Sequence, residues 1–127
     1  MPYELTWESR TAMRCRFFGS VNLTELNRAT NDFYNDYRSD HVTQAFWDFS
    51  SMTDFDVGKE GASEIACTDN AASGYMKPMK AAFITRDEAF LELVRHYIEE
   101  MDSLGSNWTN QVFSSLEDAR AWISSGL

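Results

Sequence analysis

The chain has 127 residues, 43% of them hydrophobic, with nine Phe, five Tyr and four Trp. This length suits one domain, residues 1–127, burying roughly two thirds of the surface its unfolded form exposes, and the aromatic content closes a core without disulfides. Twenty acidic against eleven basic residues give a net charge of −9, which repels phosphate backbones and anionic membranes, and no run of Lys or Arg gathers a basic patch. Nucleic acid is therefore not an expected partner.

Apolar runs such as Ala81-Ala82-Phe83-Ile84 are far shorter than the about 20 residues of a membrane span. The opening MPYELTWESR lacks the basic flank and apolar stretch of a secretory signal and reads as a strand, so a cytoplasmic location is expected. Cys15 and Cys67 make no disulfide framework and are expected as reduced, mostly buried thiols. Together with His41 and His96 they match no zinc-site spacing. No metal or other cofactor is expected.

In chain order, Tyr3 to Glu8 and Ala12 to Gly19 alternate apolar and polar residues, the pattern of strands with one wet face. A three-residue loop at Ser9, Arg10 and Thr11 sets Glu4 opposite Arg16, Thr6 opposite Arg14 and Trp7 opposite Met13. A two-residue loop sets Glu4 against Cys15, so the hairpin register follows from which faces must stay wet. From Thr24, the expected N-cap, to about Arg38, the residues Leu26, Thr30, Phe33, Tyr34 and Tyr37 recur at helical spacing. Thr43 to Ser50 is apolar on much of both faces and too short for a helix, as a central strand would be.

Residues 58–73 carry a weaker helical pattern (Ala62, Ile65, Ala66, Ala71, Ala72) between Gly58 and Gly74. Met79 to Thr85 is a fourth strand. Asp87 to Ser103 shows the clearest helical stripe, through Phe90, Leu93, Val94, Tyr97, Ile98 and Met101, with Gly105 as its stop. Trp108 to Phe113 reads as a fifth strand. Ser114 and Glu117 have the spacing of a capping box for a helix from Leu116 to Ser124 that ends at Gly126.

The order is ββαβαβαβα, an α/β fold with a mixed five-stranded sheet and helices mainly on one face. If the helices share a side, Glu4, Thr6, Arg14 and Arg16 occupy the other.

After the third strand the chain reads Asp48-Phe49-Ser50-Ser51-Met52-Thr53-Asp54-Phe55-Asp56-Val57-Gly58. This resembles, without gaps, the D-L-S-G-V-T-F-I-D-S-S segment of STAS domains, the family of the anti-sigma factor antagonist SpoIIAA. Asp48, Ser50, Thr53 and Asp56 coincide, and Phe49, Met52 and Phe55 are apolar matches. The layout and the ending from Val112 to Ile123 are similar to the SpoIIAA-like group described as STAS/SEC14-like. The resemblance implies the fold just derived and a non-enzymatic protein-interaction or regulatory module. Its partner-binding candidates are Asp48, Ser50, Ser51, Thr53, Asp54, Asp56, Val57 and Gly58, read as a loop. In the antagonists the residue after the loop aspartate is a serine whose phosphorylation switches partner binding. Here that position is Val57, so the resemblance does not carry the switch over.

No catalytic constellation emerges. Asp48, Asp54 and Asp56 offer oxygen ligands where open α/β sheets place ligands, and Asp54-Phe55-Asp56-Val57 resembles DxDx[TV] of phosphotransferring hydrolases. Three residues nevertheless separate Asp54 from its strand, and no supporting lysine is assigned. Cys67 with His96 would make a thiol and base, set against a packed thiol and a partly exposed histidine. Phe33, Tyr34, Tyr37, Phe90 and Tyr97 read as core or, alternatively, as the lining of a pocket between helices and sheet that carries or senses a lipid-like or other apolar small molecule. Phe18 and Phe46 on the polar sheet face offer a homodimer contact.

Overall fold

The computed structural model describes residues 2–125; the expected stop at Gly126 lies outside them. Five strands, β1 (Tyr3–Trp7), β2 (Ala12–Asn22), β3 (Gln44–Asp56), β4 (Lys80–Ile84) and β5 (Thr109–Phe113), form one sheet in sequential order. β1 and β2 are antiparallel with Glu4 opposite Arg16, Thr6 opposite Arg14 and Trp7 opposite Met13, the register expected from the alternation. All later pairs are parallel.

Helix α1 (Leu23–Asn35) starts two residues earlier than expected, because Asn22 rather than Thr24 is its N-cap. The Asn22 side chain accepts from the Glu25 amide at 2.9 Å, and the Glu25 carboxylate accepts from the Asn22 amide at the same distance, satisfying two donors that a helix start leaves open. Leu26, Ala29, Thr30 and Phe33 face inward. The helix ends before Arg38 because Asp36 turns extended and caps a separate 3-10 turn, Tyr37–His41, accepting from the Arg38 amide. Tyr37 is thereby carried out of the core, at 80% exposure.

α2 (Lys59–Ser73) and α3 (Glu88–Ser103) complete the crossovers. Asp87 caps α3 by accepting from the Phe90 amide. At its other end Gly105 adopts φ +77, with its amide donating to Asp102 and that of Ser106 to Met101, the paired closure typical of a left-handed glycine stop. Because right-handed crossovers here all step the same way across the sheet, α1, α2 and α3 share one face. Their core includes Met13, Cys15, Phe17, Ala45, Phe49, Ala81 and Phe83 from the sheet, with Phe33, Ala66, Phe90, Val94, Tyr97 and Met101 above.

The last helix, α4 (Leu116–Ile123), lies on the opposite face, where Ala119 and Ile123 pack on Phe46, Ala82 and Ile84. Its N-cap is Ser115, accepting from the Asp118 amide, not the expected Ser114 with Glu117. Arg120 spans to the β1–β2 turn, binding Glu8 at 2.9 and 2.6 Å, and lies over the Phe46 ring. Glu4, Thr6, Arg14 and Arg16 do occupy this second face, and Arg16 lies over Phe18 rather than joining an ion pair with Glu4. Phe46, at 2% exposure, is sealed under α4 and offers no dimer surface, which corrects the expectation from sequence.

β2 and β3 both run further than expected. β2 reaches Asn22 and β3 reaches Asp56, so most of the segment read as a loop is strand. Two register shifts bend this extension, and Gly19 sits at the second with φ +70. A Cβ at Gly19 would meet nothing within 4 Å, so only backbone strain opposes it. Gly19→Ala is expected to lower stability by about 1 kcal/mol, read as a reduced urea midpoint with unchanged slope.

Candidate functional site

Asp48 marks the point where β3 parts from β4, the last residue of that pairing. Its side chain points to the α4 face, is 1% exposed, and spends all its capacity locally. One oxygen accepts from Arg14 Nη2 at 2.6 Å and Nε at 3.2 Å, and the other from the Ser50 amide at 3.0 Å and Ser50 Oγ at 2.6 Å. Burial pushes this carboxyl up, but the hydrogen bonds from Ser50 and Arg14 outweigh it and hold it below the ordinary carboxylate range. Asp48 is thus a lock in the backbone path, holding the bend that starts the extension.

Beyond the lock, Ser51 to Asp56 pair with Phe18 to Asn22 of β2 on one side only. The result is a two-stranded ribbon projecting past the C-terminal end of β4. Ser50, Thr53, Asp54 and Asp56 are exposed along it, Ser51 is half-buried, and Phe55 turns inward onto Phe90 with ring centroids 5.0 Å apart. Val57 is buried and Gly58, exposed, is the N-cap of α2 without a side-chain capping bond. The candidate residues are therefore not one cluster. Asp48 lies under the sheet, Asp54 and Asp56 on the outer ribbon and Val57 in the core. Among the described residues no group of three or more His, Cys, Asp or Glu is placed to hold a metal.

Val57 leads to the space between helices and sheet, which Phe90 and Tyr97 of the expected aromatics line and Phe33, Tyr34 and Tyr37 do not. Between α1, α2, α3 and the sheet is a partly open cavity of about 70 Å³, lined by Val57, Phe17, Trp47, Phe49, Phe83 and Phe90 among others. Its one acidic lining residue is Asp69 of α2, 8% exposed. Tyr34 of α1 donates to Oδ1 of Asp69 at 2.5 Å and Tyr97 of α3 to Oδ2 at 2.6 Å. Burial raises the Asp69 carboxyl to about 6 even though both tyrosine hydrogen bonds pull it down. Burial and the adjoining carboxylate in turn push both tyrosines well above their ordinary range. A signal for this residue was present, since Ala62, Ile65, Ala66 and Asp69 fall at helical spacing on one stripe, so an acid was written into the buried face of α2.

Cys67 and His96, weighed as a thiol and base, both line an open groove across α2 and α3, together with Ser63. Cys67 is exposed, not packed, whereas Cys15 is buried and pushed up to about 12, chiefly by desolvation. Ser63 Oγ lies 2.8 Å from His96 Nε2 and donates to Glu100 at 3.1 Å, while Glu100 lies 3.6 Å from the same Nε2. A nucleophile relay needs the base to meet its nucleophile on one ring nitrogen and its orienting acid on the other. Here serine and carboxylate share one nitrogen, so the trio is a polar bridge between two helices.

No protein-family model matches the chain, and no curated protein matches it. Two solved structures do. One, described as the anti-sigma factor antagonist SpoIIAA in its unphosphorylated form, superposes with TM-score 0.64 at 11% identity, covering 98% of this chain and 99% of that one. The other, the Bacillus cell fate determinant SpoIIAA in the phosphorylated form, gives TM-score 0.56 at 12% identity, covering 95% and 98%. The chain has the SpoIIAA (STAS) fold over nearly its whole length, as the resemblance in the β3 segment implied. No helix among the described residues is long and apolar enough to cross a membrane.

Two outcomes follow from the buried carboxylates. Arg14→Ala leaves Asp48 charged and unpaired beneath α4 and is expected to cost about 3 kcal/mol in chemical denaturation at pH 7. Asp69 has the opposite sign. Its folded-state value lies above its unfolded one, so the folded protein binds the extra proton between about pH 4 and 6 and loses stability as pH rises through that window, on the order of 3 kcal/mol in all. Asp69→Asn is expected to remove this slope, seen by comparing urea midpoints at pH 4.5 and 7.5.

Proposed function

We propose that the chain is a non-enzymatic interaction module whose partner-binding surface is the outer ribbon of β3, Ser50 to Asp56, together with the start of α2 at Val57 and Gly58. The observation that carries this reading is the free edge of β3 beyond Asp48, where the strand keeps one neighbour and turns its other side outward. An unpaired strand edge is a ready surface for an added chain, and exposed Asp54 and Asp56 favour a partner with a basic face. A SpoIIAA fold at full coverage supports a regulatory rather than catalytic role, since the protein of that fold is described as an anti-sigma factor antagonist. That protein is known in unphosphorylated and phosphorylated forms. With Val57 at the matching position, this module binds without that switch. We assign its action to the cytoplasm. Its surface for self-association is the side of the polar sheet face that holds Phe18, since Phe46 is buried.

A second reading is favoured by the cavity beneath the ribbon, which suits a carrier or sensor of a small apolar molecule. At about 70 Å³ it is well below the several hundred cubic ångströms of drug-sized pockets, so its occupant is small.

Capture from lysate of the source cells, with wild-type protein and an Asp54→Ala/Asp56→Ala variant as baits, tests the first reading. At least one partner should be retained by wild type and fall about tenfold with the variant, at an unchanged thermal midpoint. Equal capture of every partner by both baits would remove the ribbon from consideration.

A further inference from the structure

The cavity combines two features that ordinary core lacks. One is an aromatic wall, with Phe17, Trp47, Phe49, Phe83, Phe90 and Tyr97 around a single space. The other is a carboxylate at that wall whose hydrogen-bond partners are neutral. Tyr34 and Tyr97 each give Asp69 one hydrogen bond, and among the described residues no Lys, Arg or His forms an ion pair with it. Each carboxylate oxygen accepts two hydrogen bonds, so Asp69 has capacity for another donor on each side.

A buried, ionised carboxylate without a cation is costly. Protonation is one relief, and a cation brought by a ligand is the other. The faces of Phe and Trp attract cations within about 6 Å of their centres, so wall and carboxylate favour the same charge. The groups facing Asp69 from the packed elements are Tyr34 from α1 and Tyr97 from α3, both uncharged at neutral pH, and the sheet side presents only apolar and aromatic residues to the cavity. Size narrows the ligand further. A cavity of about 150 Å³ accepts benzene, and one of about 70 Å³ accepts a body of about three carbons.

We propose that the cavity beneath the β3 ribbon binds a small primary ammonium ion with a short apolar body, the ammonium on Asp69 and the body against the aromatic wall. This rests on the small-molecule reading above and gives it a chemical class. Binding favours the ionised carboxylate. It therefore tightens about tenfold between pH 5 and pH 7.5, as the Asp69 proton, lost near 6, stops competing.

The test is titration of the full chain with propylammonium and, separately, with propan-1-ol as its uncharged counterpart, followed by the methyl resonances of Val57, Ile65 and Val94 and by Trp47 fluorescence. Saturable binding of propylammonium in the millimolar range is expected, about tenfold weaker at pH 5 than at pH 7.5, with propan-1-ol at least tenfold weaker and free of pH dependence. Asp69→Asn should abolish the preference for the ammonium. Should that variant fail to fold, the pH comparison on wild-type protein separates the same two outcomes. Equal binding of both probes at every pH overturns the ammonium assignment while leaving an apolar small-molecule site in place. Silence from both probes at tens of millimolar overturns the two together.

Discussion

The three crossover helices of this molecule are placed by the direction in which their connections step. β2, β3, β4 and β5 follow one another across the sheet without reversal, and a right-handed connection repeated in one direction returns each helix to the same side. Three helices therefore crowd one face, where they enclose the larger core, the cavity and Asp69. Among the described residues the other face receives only α4, which packs on β3 to β5. An open sheet without a switch in strand order has no crevice between oppositely directed crossovers, and the features that invite ligands arise elsewhere, where a strand outruns its neighbour and where three helices meet.

The hairpin register was legible because period-2 alternation leaves two registers to choose between, and only one kept Glu4, Arg14 and Arg16 together on a wet face. The helical stripes of α1 and α3 were legible for a similar reason, since one face must be apolar over three or four turns. The ribbon was not. Ser50 to Gly58 is rich in Ser, Thr and Asp, residues that compete locally with the backbone and favour turns. It becomes strand because β2 also continues and supplies the partner, a pairing between distant segments that local composition does not encode. The same local ambiguity moved two helix caps by one or two residues, as Asn22 and Ser115, each with an acid three residues on, compete with Thr24 and Ser114 for one role.

The placement of α4 was open for a different reason. It follows the edge strand and no further strand draws the chain back, so handedness does not assign it a side. The sign was in the strands themselves, where Phe46, Ala82 and Ile84 put apolar groups on the face that Arg14 and Arg16 keep wet next door. Asp69 was hidden because apolar repeats define a helical face, and a single acid among them leaves the period intact. In a helix of small residues, with Gly61, Ala62 and Ala66 buried, that acid anchors α2 to both its neighbours through Tyr34 and Tyr97.

The ring contacts along the inner face have a mechanical meaning. Phe17 stacks on Phe49 at 4.6 Å, Phe49 meets Phe90 at 4.6 Å, and Phe90 meets Phe55 of the ribbon at 5.0 Å. Phe90 is a wall of the cavity and at the same time the floor under the exposed strand. A protein interior is too dense to absorb the shift of a ring without passing it on. The outer ribbon and the inner chamber thus share one wall, the Phe90 ring, with no layer between them to separate what each face presents.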